Sequence, residues 1–203
     1  MVKHFHFHDL QTNRKFDRPL VGARCVFSRD GVRCKKRCLI GLDLCWIHLR
    51  SEKNLRIRDA GALGRGLFAD NGTNDKNLVF NINENIIVYD GECMNAAQKT
   101  QRYGNRTAPY LIGYDNNTFY DCAVHRCAAS LINHIGHSQA NVKFSKNNQD
   151  NGVRIKAIKR IYNGTQLRVS YNSQVDGNNT RYRLNENNVR TSTNTRKKHQ
   201  LEE

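Results

Sequence analysis

The stretch Gly164-Thr-Gln-Leu-Arg-Val-Ser-Tyr171 is the part of the sequence that says most about the fold. Apolar Leu167 and Val169 alternate with polar neighbours, and this spacing predicts a β-strand over Gln166–Tyr171. The strand ends on a tyrosine. Taken alone, a strand tyrosine most simply packs in a core, so the stretch gains a functional meaning only together with the motifs upstream of it.

Three such motifs precede it. Asn133-His134 follows Asp121 after eleven residues, and Asn141 comes soon after. Ile87-Val-Tyr-Asp-Gly-Glu92 predicts a strand that ends in Tyr-x-Gly-Glu. Asp59-Ala-Gly-Ala-Leu-Gly-Arg-Gly-Leu-Phe-Ala69 contains Gly-x-Gly, whose glycines permit either a close approach of the backbone to a ligand or only a tight turn before a strand.

The chain from residue 55 onward has the pattern of a mostly β domain, because short apolar runs are broken by glycine and asparagine. Besides the strand already described, strands are predicted at Leu55–Arg58, Gly66–Ala69, Leu78–Ile82, Ile86–Tyr89, Tyr110–Tyr114, Thr118–Asp121, Val142–Phe144 and Val153–Ile158. Helical turns are expected at Met94–Arg102 and Arg126–Ile132. Asn116-Asn117 is expected to form a hairpin turn.

In their order and spacing the four motifs resemble the SET domain, over residues 55–172. The family pattern runs Gly-x-Gly-Leu-Phe-Ala, then Tyr-x-Gly-Glu, then Asp with Arg-Phe-x-Asn-His-Ser-Cys-x-Pro-Asn, then Gly-Glu-Glu-Leu-Thr-x-Asp-Tyr. The resemblance implies several small β-sheets with a C-terminal pseudoknot, in which the segment holding Tyr171 passes through a loop near Asn133-His134. It also implies an S-adenosylmethionine-dependent protein-lysine N-methyltransferase whose natural substrates are histone or histone-like tails.

The resemblance also assigns roles to residues. The cofactor-binding residues would be Gly64, Arg65, Gly66, Asn133 and His134. Tyr171 would stand at the point of methyl transfer, and Tyr89 would line the channel for the incoming lysine. Asn141 would brace the pseudoknot.

The chain departs from the family pattern at several positions. Ile135-Gly136 replaces the Ser-Cys after Asn-His, Ser130 replaces the preceding arginine, and Thr165-Gln166 replaces the Glu-Glu of the last motif. The loop that leads to Asn141 is two residues longer than usual. These changes bear on cofactor affinity and favour an alternative function, a non-enzymatic SET-fold and zinc adaptor that binds chromatin or nucleic acid.

Many relatives carry a cysteine-rich zinc cluster after the final tyrosine that helps to close the lysine channel. No cysteine follows Cys127 in this chain. Tyr182 and its neighbours, or a partner subunit, would have to close the channel instead. Since the short viral SET proteins also lack the cluster and are dimeric, the resemblance implies a homodimer.

A cysteine and histidine segment precedes the SET-like region. Cys25, Cys34, Cys45 and His48 are spaced C-x8-C-x10-C-x2-H, which predicts a structural zinc site of three thiolates and one imidazole. Metal binding would supply the folding energy of so small a segment. Cys38 could replace Cys34 as a ligand, although a resemblance to zinc motifs in proteins of large DNA viruses favours Cys34.

The net charge is +15, which favours polyanionic partners such as DNA, RNA or a nucleosome, although a solvated basic surface is equally compatible with it. So basic a chain repels a basic tail unless its substrate groove is acidic. The candidates for that acidity are Asp59, Asp90, Glu92, Asp115 and Asp121. Binding to nucleosomal DNA is the other way to resolve the conflict.

No apolar stretch approaches the roughly 20 residues that a membrane span needs, and no apolar run follows Met1–His8 as a signal peptide requires. We therefore expect an intracellular protein, in the nucleus or cytoplasm of a host cell and not secreted. The domain organisation predicted is a flexible N-terminus (1–20), in which His4–His8 could instead form an edge strand. A zinc module (21–50), a SET domain (55–172) and a C-terminal segment with a basic tail (173–203) would follow.

Overall fold

The fold is that of a computed structural model, which describes residues 4–9, 14–19, 21–39, 41–104, 108, 110–123, 126–146 and 152–171, with side chains from residue 22 onward. The predicted C-terminal segment and Tyr182 lie outside these residues. None of the helices in the described ranges is long and apolar enough to cross a membrane.

Short strands dominate the described chain, as the sequence predicts. The strands are β1 His4–Asp9, β2 Arg14–Pro19, β3 Val21–Arg24, β4 Ser28–Arg29, β5 Val32–Arg33, β6 Arg37–Leu39, β7 Leu55–Asp59, β8 Arg65–Ala69, β9 Leu78–Phe80, β10 Asn85–Tyr89, β11 Glu92–Asn95, β12 Leu111–Gly113, β13 Thr118–Asp121, β14 Asn133–His134, β15 Val142–Lys146, β16 Val153–Ala157, β17 Ile161–Tyr162 and β18 Arg168–Val169. The α-helices are α1 Trp46–Lys53 and α2 Ala96–Tyr103, and 3-10 turns span Gly61–Leu63, Ala128–Leu131 and His137–Gln139.

The N-terminal part of the chain forms three small antiparallel pairs. β1 pairs with β2, so the strand alternative for His4–His8 is the arrangement in the structure. β3 pairs with β6 and β4 with β5, the latter through the Asp30-Gly31 turn, where both residues have positive φ as a type I′ hairpin requires. α1 begins after Cys45 and ends at Asn54, whose left-handed conformation stops the helix.

The SET-like region contains four sheets. β7 pairs with β8, β9 with β17, and β13 lies between β11 and β12. The fourth sheet has five strands in the order β10-β16-β15-β18-β14. The predicted turn at Asn116-Asn117 is confirmed, since it joins the antiparallel strands β12 and β13.

The core follows from the alternation of side chains along these strands. In β16, Val153, Ile155 and Ala157 are buried while the residues between them are half-buried. A second, smaller core lies between α2 and the three-stranded sheet. α2 starts with a capping box, in which Asn95 and Gln98 satisfy one another's backbone amides.

The last described segment of the chain passes between two others. β18 pairs in parallel with β14 on one side and with β15 on the other. Asn141 fastens it at two points, because its Nδ2 donates to the Gln166 carbonyl (2.8 Å) and its Oδ1 accepts from the Arg168 amide (2.8 Å). The segment therefore passes between the two ends of the loop 135–141, which is the pseudoknot that the resemblance implies.

Candidate active site and metal site

The glycine-rich segment forms the turn of the β7–β8 hairpin. Asp59 pairs with Arg65 across the turn, and the Asp59 carboxylate accepts a hydrogen bond from the Gly61 amide at 2.8 Å. Gly64 has a φ of +74°, in the left-handed region that glycine adopts without strain. Nothing lies within 4 Å of the position that a Cβ on Gly64 would occupy, so its backbone is open on that side.

Gly66, two residues on, has no such space. A Cβ there would overlap Nε2 of Gln166 and would lie 3.1 Å from Cβ of Ala60 and 3.2 Å from Nδ2 of Asn133. The same Asn133 amide donates to the Arg65 carbonyl at 3.2 Å. The hairpin turn and the Asn133-His134 motif therefore meet, although they are far apart in the sequence.

Tyr171 reaches this place through the pseudoknot. Its backbone amide donates to Nδ1 of His134 at 3.0 Å, and the two ring centroids are 5.1 Å apart. Because Nδ1 accepts, a neutral His134 carries its proton on Nε2. The Tyr171 hydroxyl donates to the Ile132 carbonyl at 2.8 Å. Its single proton is thereby used, and the oxygen lone pairs remain as acceptors.

Burial raises the pKa of Tyr171 to about 12, with a further contribution from nearby Tyr110. The phenol is therefore neutral throughout the physiological pH range. In this site it can accept a hydrogen bond or align a cation, but it does not ionise to act as a base near neutral pH.

Gln166 contributes a donor that no described residue satisfies. Its Oε1 accepts from Nε of Arg168 at 3.0 Å, which fixes the orientation of the amide because a flipped amide would oppose two donors. Nε2 then lies against Gly66, and it is buried without a hydrogen-bond partner in the described part of the chain. Such an atom is costly, at about 1–3 kcal/mol, unless a ligand or water meets it.

The family model of the SET domain matches residues 64–172, which is more than half of the chain. The chain belongs to the SET-domain family. Its structure is similar to those of ctPRC2 in complex with two H3 species and of an active polycomb repressive complex 2 in the stimulated state. For each of these, the sequence identity is 23% and the TM-score 0.47, and the alignment covers 60% of this chain and 15% of the other.

The chain thus spans about 15% of the length of the chains that it matches. Comparison with the sequences of curated proteins gives no match. The sequence resembles short viral SET proteins and zinc motifs of large DNA viruses, but none of these findings supports a viral origin of the chain.

Beside Tyr171, the SET domain holds a second aromatic group. Tyr89 is 4% exposed, and its hydroxyl donates to the Tyr110 carbonyl at 2.5 Å. The Arg126 guanidinium lies 3.8 Å from the centre of the Tyr110 ring, a cation–π contact. Tyr110 therefore connects Tyr89 with the surroundings of Tyr171, and the ring of Tyr89 is fixed in place.

Two of the acidic residues that the sequence offered for a substrate groove are already neutralised. Asp121 is fully buried and accepts from Arg102 at 2.9 Å and from the Tyr103 hydroxyl at 2.6 Å. Glu92 forms a two-point ion pair with the same Arg102, at 2.8 Å for each bond. These bonds raise the pKa of Arg102, chiefly through Glu92. Asp121 therefore stabilises the sheet and cannot make a groove acidic, which corrects the expectation.

The cysteine and histidine segment brings its four candidate ligands together. The ligand atoms of Cys25, Cys34, Cys45 and His48 all lie within 4.8 Å of one another. Nδ1 of His48 is 3.4 Å from the sulfur atoms of both Cys25 and Cys45. Backbone amides donate to the sulfurs, from Cys45 to Cys25 at 3.3 Å and from Lys36 to Cys34 at 3.4 Å. The Phe27 ring stacks on His48 at 3.8 Å.

Cys38 lies next to this quartet and not in it. Burial, together with the neighbouring Cys25 and Cys45, raises the pKa of its thiol to about 12, and it donates to the Asp43 carbonyl at 3.4 Å. Burial acts to raise the pKa of Cys25 as well, but amide hydrogen bonds from Cys45 and Phe27 outweigh it and hold that pKa at about 6. The geometry therefore selects Cys34 as the fourth member of the cluster.

The structure brings several of the residues that the sequence singled out into contact. Arg65 and Gly66 meet Asn133, and Tyr171 contacts the adjacent His134, while Gly64 lies in the same hairpin turn as Arg65. The four residues of the Cys3His cluster form a separate group. Sequence reasoning missed Tyr110, the unpaired amide of Gln166 and the Ile132 carbonyl. The substitution of Gln166 for the family glutamate was the only signal among these, because a backbone carbonyl leaves no mark in a sequence.

Proposed function

We propose that the protein is an S-adenosylmethionine-dependent protein-lysine N-methyltransferase that acts on histone or histone-like tails. The observation that carries the proposal is the contact of Tyr171 with His134, beside the place where Gly66 and Asn133 meet. The sulfonium cofactor, when bound, supplies an activated methyl group. The chain's own residues then have to bind, orient and exclude water.

The residues at this place fit such a cofactor. The open backbone at Gly64 leaves room for a ligand on that side, and the buried Nε2 of Gln166 offers a donor that a carboxylate or an adenine nitrogen accepts. Arg65, Gly66, Asn133 and His134 would hold the amino-acid and adenine parts. We assign the cofactor site to these residues together with Tyr171.

Tyr171 would orient the substrate amine. The Tyr171 hydroxyl donates a hydrogen bond to the Ile132 carbonyl, so its oxygen is left to accept a hydrogen bond from an amine N–H. That bond would point the nitrogen lone pair away from the phenol. A free lysine has a pKa of about 10.4 and must lose its proton first. A channel lined by Tyr89, Tyr110 and Tyr171 would lower that pKa by excluding water, and alignment of the amine would lower the barrier by several kcal/mol.

The basic charge of the chain still has to be reconciled with a basic substrate. Asp121 is buried and Glu92 is paired, so local acidity at the groove would come from exposed Asp59 and Asp90 and from half-buried Asp115. Asp59 and Asp115 already accept backbone hydrogen bonds, which leaves their negative charge in place. We propose that they attract the tail weakly and at short range, since salt screens exposed charges beyond about 10 Å.

We propose that the Cys3His cluster binds one structural zinc ion. Sulfur and nitrogen ligands at tetrahedral zinc lie about 3.6 Å apart, and the sulfurs of Cys25 and Cys45 are 3.4 Å from Nδ1 of His48. The backbone amides that face the sulfurs stabilise thiolates, which are the forms that bind metal. Zinc would hold β3–β6 and α1 together in a segment with little core of its own.

The proposed function places the protein inside a cell, in the nucleus or the cytoplasm, where thiols stay reduced. A homodimer remains a proposal, with the partner subunit covering the lysine channel. Light scattering on the purified chain tests it, and a mass of one chain across the concentrations used for activity would refute it.

The deciding experiment is transfer of a radiolabelled methyl group from S-adenosylmethionine to mixed histones, with calorimetry of cofactor binding on the same preparation. Label on lysine supports the proposal. Cofactor binding without methyl transfer to any histone would support the cofactor site but refute histones as the substrate. Absence of both cofactor binding and methyl transfer would favour the alternative, a non-enzymatic SET-fold and zinc adaptor. The departures from the family pattern at Ser130 and Ile135 also favour that alternative.

A further inference from the structure

Positive charge is densest in the segment that carries the Cys3His cluster. Residues 21–39 hold six Lys or Arg and one Asp in nineteen positions. Residues 55–104 hold six of each sign, and residues 105–171 spread nine Lys or Arg and three Asp over sixty-seven positions. All six basic residues are exposed, and they are Arg24, Arg29, Arg33, Lys35, Lys36 and Arg37.

Two of these arginines hold the segment in shape. Arg24 donates to the carbonyls of Cys34 and Arg33, each at 2.7 Å, and Arg33 donates back to those of Cys25 (2.9 Å) and Arg24 (2.7 Å). The reciprocal bonds fix the backbone on which the other basic side chains stand. Less conformational freedom is then lost when the segment binds a partner.

The other four basic residues are free to meet an anion. Within the described part of the chain, none of these four residues forms an ion pair. They are Arg29, Lys35, Lys36 and Arg37. An unpaired cation does not have to break an existing bond before it contacts a phosphate. We call these four residues and Trp46 the basic surface.

Trp46 belongs to this surface through the cluster. Lys35-Lys36 directly follows Cys34, and Trp46 directly follows Cys45, so both flank sulfur atoms that lie within 4.8 Å of each other. The Trp46 side chain is 58% exposed, and Val32 in the neighbouring hairpin is 68% exposed. An exposed indole near unpaired cations offers apolar area beside positive charge, and the backbone of a nucleic acid presents sugars beside phosphates.

We propose that the basic surface binds the phosphate backbone of duplex DNA. Duplex DNA carries about one negative charge per 1.7 Å of helix axis, so several phosphates come within reach of four unpaired cations on a short segment. Such contacts recruit the protein independently of sequence. The proposal goes beyond methyl transfer and does not depend on it, but it explains how a basic enzyme comes close to a basic tail that DNA carries.

The chain provides its own probe, because Trp46 is the single tryptophan. Its fluorescence is titrated in the full chain with a duplex of about 30 base pairs, at salt from about 50 to about 200 mM. We expect quenching that saturates and an affinity that falls steeply with salt. Methyl transfer to a free peptide is measured on the same preparation, so a failure of one property is distinguishable from a failure of the other.

A pair of double variants tests the location. The double substitution Lys35→Ala and Lys36→Ala should make the fall of log K with log salt less steep by about 1.8, since each phosphate contact contributes about 0.9 to the steepness. Lys76→Ala with Arg160→Ala removes the same charge from exposed positions of the SET domain and should leave the slope unchanged. Thermal unfolding of each variant verifies that it is folded.

Three results would overturn the proposal. The first is DNA binding without a change in Trp46 emission, and the second is an equal loss in both double variants, which would mean diffuse attraction by the whole chain. The third is tighter binding of single-stranded DNA or of heparin than of the duplex, which would assign the surface to another polyanion.

Discussion

Gly66→Ala is the substitution whose effect the structure determines most directly. The added methyl group would overlap the Gln166 amide and would lie 3.1 Å from Cβ of Ala60 and 3.2 Å from Nδ2 of Asn133. The amide of Gln166 can move, but it is fastened to Arg168, and the amide of Asn133 is fastened to the Arg65 carbonyl. Relief of the overlap therefore displaces the residues to which we assign the cofactor.

Overpacking of this kind costs about 1–3 kcal/mol. If this free energy is lost from cofactor binding, the affinity for S-adenosylmethionine falls by about 5-fold to about 150-fold, because 1.4 kcal/mol corresponds to about tenfold. If it is expressed in stability instead, the melting temperature falls by about 2–12 °C for a chain of this length.

The control is Gly104→Ala, at the end of α2. Gly104 has a φ of +57° and nothing within 4 Å of its missing Cβ, so the variant suffers backbone strain of about 1–3 kcal/mol with no overlap in the site. Calorimetry with the cofactor and thermal unfolding are done on both variants. Wild-type affinity in Gly66→Ala would refute the assignment of the site. An equal loss of affinity in both variants would show that general destabilisation is the cause.

Three further substitutions have expected outcomes. Tyr171→Phe should reduce methyl transfer strongly and cost about 1 kcal/mol of stability through the lost hydrogen bond to Ile132. Because the pKa of Tyr171 is raised from 10.0 to about 12, its stabilising contribution is complete below pH 10 and is lost as the pH rises through 12. The difference in unfolding free energy between wild type and variant, from denaturant titrations, should narrow over that range, and a constant difference would contradict it. Cys34→Ser should reduce bound zinc, measured by elemental analysis, from one equivalent towards none, whereas Cys93→Ser, which changes an exposed thiol outside the cluster, should retain it; equal zinc in both would remove Cys34 from the ligands. Asp121→Asn should lower the melting temperature by about 6–20 °C, since breaking a buried ion pair costs about 3–5 kcal/mol, and a shift below 2 °C would mean that the pair with Arg102 is not stabilising.

Element types were predictable because side-chain alternation reflects burial in a strand. The predicted strand Thr118–Asp121 has the same bounds in the structure, and Val153–Ile158 differs by one residue. The last strand is shorter than predicted. Of Gln166–Tyr171, only Arg168–Val169 pairs as β18, because Gln166 makes an isolated bridge to Phe68 and Tyr171 turns towards His134.

The sequence could nominate residues for a site, but it could not give their arrangement. The motif order pointed to Asn133-His134 and Tyr171, but no sequence pattern indicates that a backbone amide of Tyr171 binds the His134 ring. The replacement of the family Ser-Cys by Ile135-Gly136 has little effect on how the last strand passes through the loop, because that contact is also made by the backbone. The Ile135 amide donates to the Val169 carbonyl at 3.0 Å whatever its side chain.

The sequence by itself determined the strand-rich class of the domain, the residues of its SET-domain motifs and the spacing of the Cys3His residues, because these depend on local periodicity and on residue type. Only the tertiary structure decided that the final strand lies between the two ends of the loop 135–141, that Cys34 and not Cys38 completes the cluster, and that Asp121 is paired with Arg102. Each of these depends on contacts between residues distant in the chain or on competition among chemically equal groups. Such choices are made by the packing of the whole molecule, since a local pattern assigns the same propensity to every candidate.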